Sequence, residues 1–248
     1  MNSKKIRKKI VYIINSKIVQ LIIYNPFSDY IVWSILNFVK KESKKISAGS
    51  HILDAGAGEL RYKKYFSHCD YVSQDLCVGD KVWYFDEIDI KSNIYNIPVE
   101  NQSFDYILCT QVIEHLEFPD LAFKEFNRIL KRGGKLLLTA PLGQGEHQIP
   151  YDFFRFTRYA LNSLGKRNGL NLVYIRPAGG IFINLEYILW QAKNILFPFK
   201  KTLALRYFFY LLFFPLKFIS GFIFYFLDLL DIEKKYTNNY CCVYEKFS

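Results

Sequence analysis

The segment HILDAGAGEL, residues 51–60, constrains the fold of this chain more than any other stretch. A short apolar strand reaches an acidic residue, Asp54, and then a turn with glycines at 56 and 58 before a helical pattern resumes. An α/β sheet presents backbone amides to a ligand at its carboxyl edge in this way. Glycine is required there because a Cβ would hold the ligand away from the backbone. Asp75 closes a second strand about 20 residues downstream, where a carboxylate can accept hydrogen bonds from both hydroxyls of a ribose. A helix N-cap is the alternative role for Asp75. The third glycine of a dinucleotide fingerprint, due at position 61, is absent. The central region also lacks a Tyr-x-x-x-Lys, and both points weigh against a nicotinamide-dependent oxidoreductase.

The surrounding sequence alternates short apolar runs with periodic helical segments, as a parallel sheet with crossover helices requires. The strands are expected at His51–Asp54, Tyr71–Asp75, Phe104–Thr110, Lys135–Thr139 and Asn171–Arg176, with a last strand in YTNNYCCVYEKF. In LAFKEFNRILKRGG, Leu121, Phe123, Phe126, Ile129 and Leu130 share one helical face. Gly133-Gly134 is expected to end that helix. Four zones follow: a basic, amphipathic helical region over 1–48, a core over 49–180, an apolar aromatic insert over 181–235, and a final strand over 236–248.

Charge and cysteine usage narrow the chemistry. Lys and Arg total 33 against 23 Asp and Glu, a net charge of +10, which points to nucleic acid or an anionic membrane surface. Lys4, Lys5, Arg7, Lys8 and Lys9 precede the apolar run IVYIINSKIVQLIIY, as in a basic helix lying on a membrane. A helix packed on the core with a solvated lysine face fits the same pattern. Lys17 and Gln20 interrupt the run, and no small-residue cleavage site follows, so a secretory signal is not expected. The five cysteines have no CxxC and no paired histidine spacing; neither a disulfide framework nor a metal site is expected.

Four stretches in order, HILDAGAG, YVSQDL, NIYNIPVENQSFDYILCTQVIEH and ILKRGGKLLLTAP, resemble class I S-adenosylmethionine-dependent methyltransferases of the small, ubiquinone-biosynthesis-like type (methyltransferase type 11). The resemblance covers about residues 50–180, with the C-terminal strand as its last element. It implies a Rossmann-like, doubly wound, mostly parallel sheet with an antiparallel last strand, and S-adenosyl-L-methionine as cofactor. Carried over, Asp54 would orient the methionine amino group, and Gly56 and Gly58 would let the loop pass beneath the cofactor. Asp75 would clamp the ribose, with Leu76 packing on the adenine. Asn93, where this family commonly has Asp, and Ile94 would face the adenine amino edge; an amide still offers the carbonyl acceptor required there. Thr110 and Gln111 would sit beside the sulfonium or simply cap a strand end. His115 would shape the site or take a proton.

The loop PLGQGEHQIPYDFFRFTRYAL follows the fifth strand, where these enzymes place substrate contacts. It resembles an H-x-x-P-x-D-x-x-R-x-T stretch found in a subgroup of them. His147 is a candidate base, Asp152 its orienting partner, and Tyr151 and Arg155 candidate acceptor contacts. Asp152 and Arg155 could instead form an ion pair at the start of the next helix. If the final strand returns to the sheet, the apolar insert cannot cross a membrane once. It must be a hairpin, a re-entrant element or helices in the interface, bent near Pro215–Gly221; a dimer interface or a lid is the alternative. The resulting expectation is a methyltransferase at the cytoplasmic face of a membrane, acting on a small-molecule, lipid or lipid-linked acceptor. Its rivals are a nucleic-acid methyltransferase, disfavoured because the lysines cluster beside apolar runs, and a non-catalytic scaffold that keeps the fold.

Overall fold

The computed structural model describes residues 25–78, 85–196 and 203–247, with backbone alone for 193–196 and 203–212. The basic N-terminal segment considered above lies outside the described residues. Seven strands form one sheet: β1 (His51–Ala55), β2 (Asp70–Asp75), β3 (Ile90–Lys91), β4 (Phe104–Thr110), β5 (Leu130–Pro141), β6 (Leu170–Ala178) and β7 (Asn239–Lys246). Their order is β3-β2-β1-β4-β5-β7-β6. β1 pairs in parallel with both β2 and β4, whereas β7 runs antiparallel to β5 and β6. This is the doubly wound, mostly parallel sheet with an antiparallel last strand that the resemblance implies. The strand order reverses between β1 and β4, and the crevice beyond their carboxyl ends is where such sheets bind ligands.

The described residues divide into two compact units: one within 35–178 and 238–247, the other within 25–34 and 179–237. The first holds the sheet. Its helices include most of α1 (Tyr30–Ser43), together with α2 (Pro119–Ile129) and α3 (Arg158–Arg167). Strands covered on both faces read as continuous apolar runs, and β7 buries its first six residues in succession. Phe123 and Phe126 of α2 join Leu53, Ile107, Leu136 and Leu138 of the strands in the core. Tyr244 of β7 meets Phe123 edge-on at 5.5 Å and donates its hydroxyl to the Leu161 carbonyl at 3.0 Å.

Two local expectations need correction. α2 stops at Ile129, before the glycine pair, because Leu130 is already extended and pairs with Phe104 of β4. Gly133, at φ +70°, turns the chain within β5, and Gly134 lies against the carbonyls of Lys131 and Asp105, where a Cβ would not fit.

The second unit is built on α4 (Ile181–Leu196) and α5 (Leu203–Asp228). α5 runs through Pro215 and Gly221 without the expected break. Gly221 serves close packing instead: a Cβ there would collide with the backbone of Phe27. The polar residues that interrupt the apolar run face one another across this pair of helices. Lys217 binds Glu186 at 2.6 Å, and the Trp190 indole donates to Ser220 at 2.9 Å. Asp228 and Asp231 accept the backbone N–H groups of Gly180 and Ile181, which closes the start of α4. No helix among the described residues is long and apolar enough to cross a membrane.

Candidate functional site

Asp54 is the penultimate residue of β1, and its side chain is almost wholly buried. One carboxylate oxygen accepts the Tyr71 hydroxyl at 2.6 Å; the other is buried with no hydrogen-bond partner. Burial pushes the carboxyl up to about 7, the Tyr71 hydrogen bond opposing it and the Asp75 charge adding to it. A cation brought to the orphaned oxygen would relieve both the desolvation and the missing bond.

The glycine turn after Asp54 is held from below. The N–H groups of Gly56 and Ala57 both donate to the Gln74 carbonyl, at 2.9 and 3.0 Å. Gly56 has φ +74° and no room for a Cβ, which would run into the Val112 side chain. Gly58 has φ +52°, and a Cβ there would point into open space. The turn is therefore left-handed for structural reasons at Gly56, while at Gly58 it exposes bare backbone. Asp75, at the end of β2, accepts the Gly58 N–H at 2.9 Å and the Cys77 N–H at 2.6 Å, one on each oxygen. Each oxygen keeps a further lone pair for a hydroxyl donor.

The remaining candidates lie along the same carboxyl edge. Leu76 is more than half exposed, and Ile94 is buried. Asn93 is exposed, and its side-chain oxygen accepts the Tyr95 N–H at 3.0 Å. Thr110 ends β4. Gln111, at φ +54°, turns its amide back over the sheet, donating to Thr139 at 3.1 Å and Asn239 at 3.2 Å.

A second cluster lies on the loops after β4 and β5. Arg155 commits all five guanidinium N–H groups. It grips both oxygens of Asp152 at 2.7 and 2.8 Å and donates to the carbonyls of Gln144, Gly145 and Phe154. This grip, reinforced by the His147 N–H, holds the Asp152 carboxyl well below the usual carboxylate range. Asp152 reaches His147 through that N–H at 2.8 Å; the His147 ring nitrogen is 3.7 Å away, beyond hydrogen-bond distance. His115 Nδ1 lies 2.6 Å from the Tyr151 carbonyl, and its ring meets that of His147 edge-on at 4.8 Å. Tyr151 itself has an exposed side chain.

Sequence reasoning passed over two residues here. Tyr71 is the partner of Asp54. Glu114 has a fully buried carboxylate with no hydrogen bond to either oxygen. Burial pushes that carboxyl up to about 8. The available signal was a charged residue between Ile113 and His115 in an otherwise apolar strand exit.

Residues 53–138 match the family described as methyltransferase domain, which takes in the glycine turn and β1 to β5. Over these residues the chain is similar to class I S-adenosylmethionine-dependent methyltransferases. A relative of that domain, the ubiquinone/menaquinone biosynthesis C-methyltransferase of Pseudoalteromonas translucida, is 26% identical over 166 residues, covering 58% of this chain and 64% of that protein. The chain spans about half the length of the curated relatives it matches. Among solved structures, the 1,6-didemethyltoxoflavin-N1-methyltransferase of Burkholderia thailandensis, crystallised with S-adenosylhomocysteine, superposes with a TM-score of 0.54 at 12% identity. That superposition covers 97% of this chain and 90% of that one. The 4+2 cyclase SpnF superposes with a TM-score of 0.53 at 13% identity, covering 87% of this chain and 81% of that one. Shared architecture thus does not assign a reaction, which must be argued from the site.

Proposed function

We propose that this protein transfers a methyl group from S-adenosyl-L-methionine to an acceptor held at a membrane surface, a lipid or lipid-linked hydroxyl. The observation that carries the transferase reading is the Asp54 carboxylate: buried, half-partnered, and next to a turn whose Gly58 leaves open space. Such an arrangement suits a ligand with an ammonium group and close backbone contact. Asp54 would bind the ammonium, Gly58 would admit the ligand, and Asp75 would accept the ribose hydroxyls. Leu76 and Ile94 offer apolar surface for the base, and Asn93 an amide for its edge. When bound, the cofactor supplies an electrophilic methyl group.

Much of methyl transfer is positioning, and a base matters for a poorly nucleophilic acceptor such as a hydroxyl. His147 suits that role. Its Nδ1 lies 3.1 Å from the Gly145 carbonyl, which can only accept, so Nε2 keeps its lone pair for a proton. Arg155, with its N–H groups spent on Asp152 and the loop carbonyls, holds the loop that carries His147 and Tyr151.

Calorimetric titration of S-adenosylhomocysteine into the detergent-purified full chain tests the cofactor reading. Micromolar binding is expected. Asp75→Ala should weaken it at least roughly tenfold, since each charge-assisted hydrogen bond lost is worth about 1.5–3 kcal/mol. Absence of binding by a folded wild type would refute the reading.

The membrane-proximal acceptor rests on the unit built from α4 and α5, which exposes Ile188, Leu189, Ile219, Phe222, Ile223 and Phe226. Apolar surface of this kind marks a docking site, and the +10 charge favours an anionic leaflet. Co-flotation with anionic vesicles is the expected result. A chain that stays with the soluble fraction and methylates only soluble acceptors would overturn it.

A further inference from the structure

Glu114, His115 and His147 each offer one ligating atom, and these atoms lie within 4.8 Å of one another. Hydrogen bonding shows which nitrogen of each imidazole keeps its lone pair. A backbone carbonyl accepts and never donates, so His115 Nδ1, 2.6 Å from the Tyr151 oxygen, carries the ring proton. The lone pair is then on Nε2, which is buried without a hydrogen-bond partner and lies 3.9 Å from Glu114 Oε1. The same reasoning places the His147 proton on Nδ1, facing the Gly145 carbonyl. The Arg155 Nη2 atom, 3.4 Å from that Nδ1, offers no competing donor, because its N–H groups already have closer acceptors. Both imidazoles therefore present Nε2 as a bare acceptor, beside a buried carboxylate with two unpartnered oxygens. Two bare imidazole nitrogens beside a buried carboxyl that makes no hydrogen bond form an arrangement that a cation completes, displacing any proton on the carboxyl as it binds.

We propose that Glu114, His115 and His147 bind a divalent first-row transition-metal ion. Two imidazoles and one carboxylate suit zinc or ferrous iron rather than magnesium or calcium, which prefer all-oxygen shells. The outer shell is also present: each histidine Nδ1 faces a carbonyl, and the Asp152 carboxylate flanks His147, the kind of second contact that orients metal-ligating imidazoles. Metal–ligand bonds of about 2.0–2.2 Å require the set to draw together through rotation of the three side chains. Three protein ligands leave at least one coordination position for water or an acceptor oxygen. The expectation of no metal site was drawn from cysteine spacing; these ligands lie on two separate loops and carry no spacing signal. The site does not depend on the transferase reading, but it competes with the base role of His147, since one Nε2 lone pair serves either an ion or a proton.

The test is titration of the chelator-stripped, tag-free full chain with Co2+, followed by its visible d–d absorption, with Zn2+ in competition. The wild type should take up about one equivalent and develop the bands of a site with nitrogen and oxygen ligands. His147→Ala removes a ligand from a surface loop without touching the core, and Glu114→Gln preserves shape; each should weaken uptake roughly tenfold or more. His51→Ala, at the opposite edge of β1, should leave it unchanged. The proposal is overturned if the wild type binds no more Co2+ than His147→Ala, or if His51→Ala removes the signal equally. S-adenosylhomocysteine titrated into the same preparation reads the cofactor site separately, so failure of one reading does not mimic failure of the other.

Discussion

Asp54→Asn should make the ligand-free protein progressively more stable than the wild type as pH rises. The wild-type carboxyl ionises at an ordinary 3.8 in the unfolded chain and at about 7 in the folded one. Below pH 4 it is protonated in both states and burdens neither. Between about pH 4 and 7 only the unfolded chain ionises, so the folded state loses ground over that window and no further above it. At about 1.4 kcal/mol per pH unit, the total is about 4 kcal/mol, of which about 2.5 kcal/mol falls between pH 5 and 8. Asparagine keeps the size of the side chain and abolishes the titration. Glu114, buried in both proteins, cancels in the comparison. Urea unfolding of the two proteins at a series of pH values reads the difference directly. Calorimetry of S-adenosylhomocysteine near pH 6 in buffers of different ionisation enthalpy should show a proton released on binding by the wild type, and none by the variant. Parallel stability curves from pH 5 to 8 would refute the argument, because a carboxyl that ionises alike in both states is not desolvated.

Gly58→Ala should cost the fold only about 1–2 kcal/mol, the penalty of a left-handed backbone with a Cβ, yet abolish measurable S-adenosylhomocysteine binding by filling the open space beside the turn. Equal binding by calorimetry would show that no ligand approaches there. Arg155→Lys should leave Asp152 and at least one loop carbonyl short of a donor, at about 2–4 kcal/mol; limited proteolysis should then cut between residues 143 and 157 while the sheet stays protected. Gly221→Ala should lower stability by about 1–3 kcal/mol through overpacking against the Phe27 backbone, seen as a lower urea midpoint.

Most of the sheet was legible because its strands are buried on both faces and read as apolar runs. Ile52, Leu53, Ile107, Leu108, Leu137 and Leu138 announce their strands with no help from periodicity. β3 was not legible, since two residues, Ile90 and Lys91, are too few to carry a pattern. The end of α2 was misjudged because Leu130 satisfies the helical face and the extended pairing with Phe104 equally, and only the sheet decides between them. Within the site, Asp54, the glycines and Asp75 stood out because turn geometry restricts residue choice. Glu114 and Tyr71 did not, because their significance is a missing or gained hydrogen bond across the fold rather than a spacing along the chain.

The position of β7 has a consequence for how the molecule is made. β6 pairs with β7 alone, and β7 fills the slot between β6 and β5. Residues 239–246 follow both helices of the insert, so a ribosome finishes them long after β5 has emerged. Until then the exposed flank of β5 and the whole of β6 present unpaired backbone, a template for association with other chains. Closing the sheet also joins segments about a hundred residues apart, a slow step by its topology. The nascent domain thus spends its synthesis with one half of its sheet unzipped, and a chaperone that guards that flank would have the greatest effect on yield.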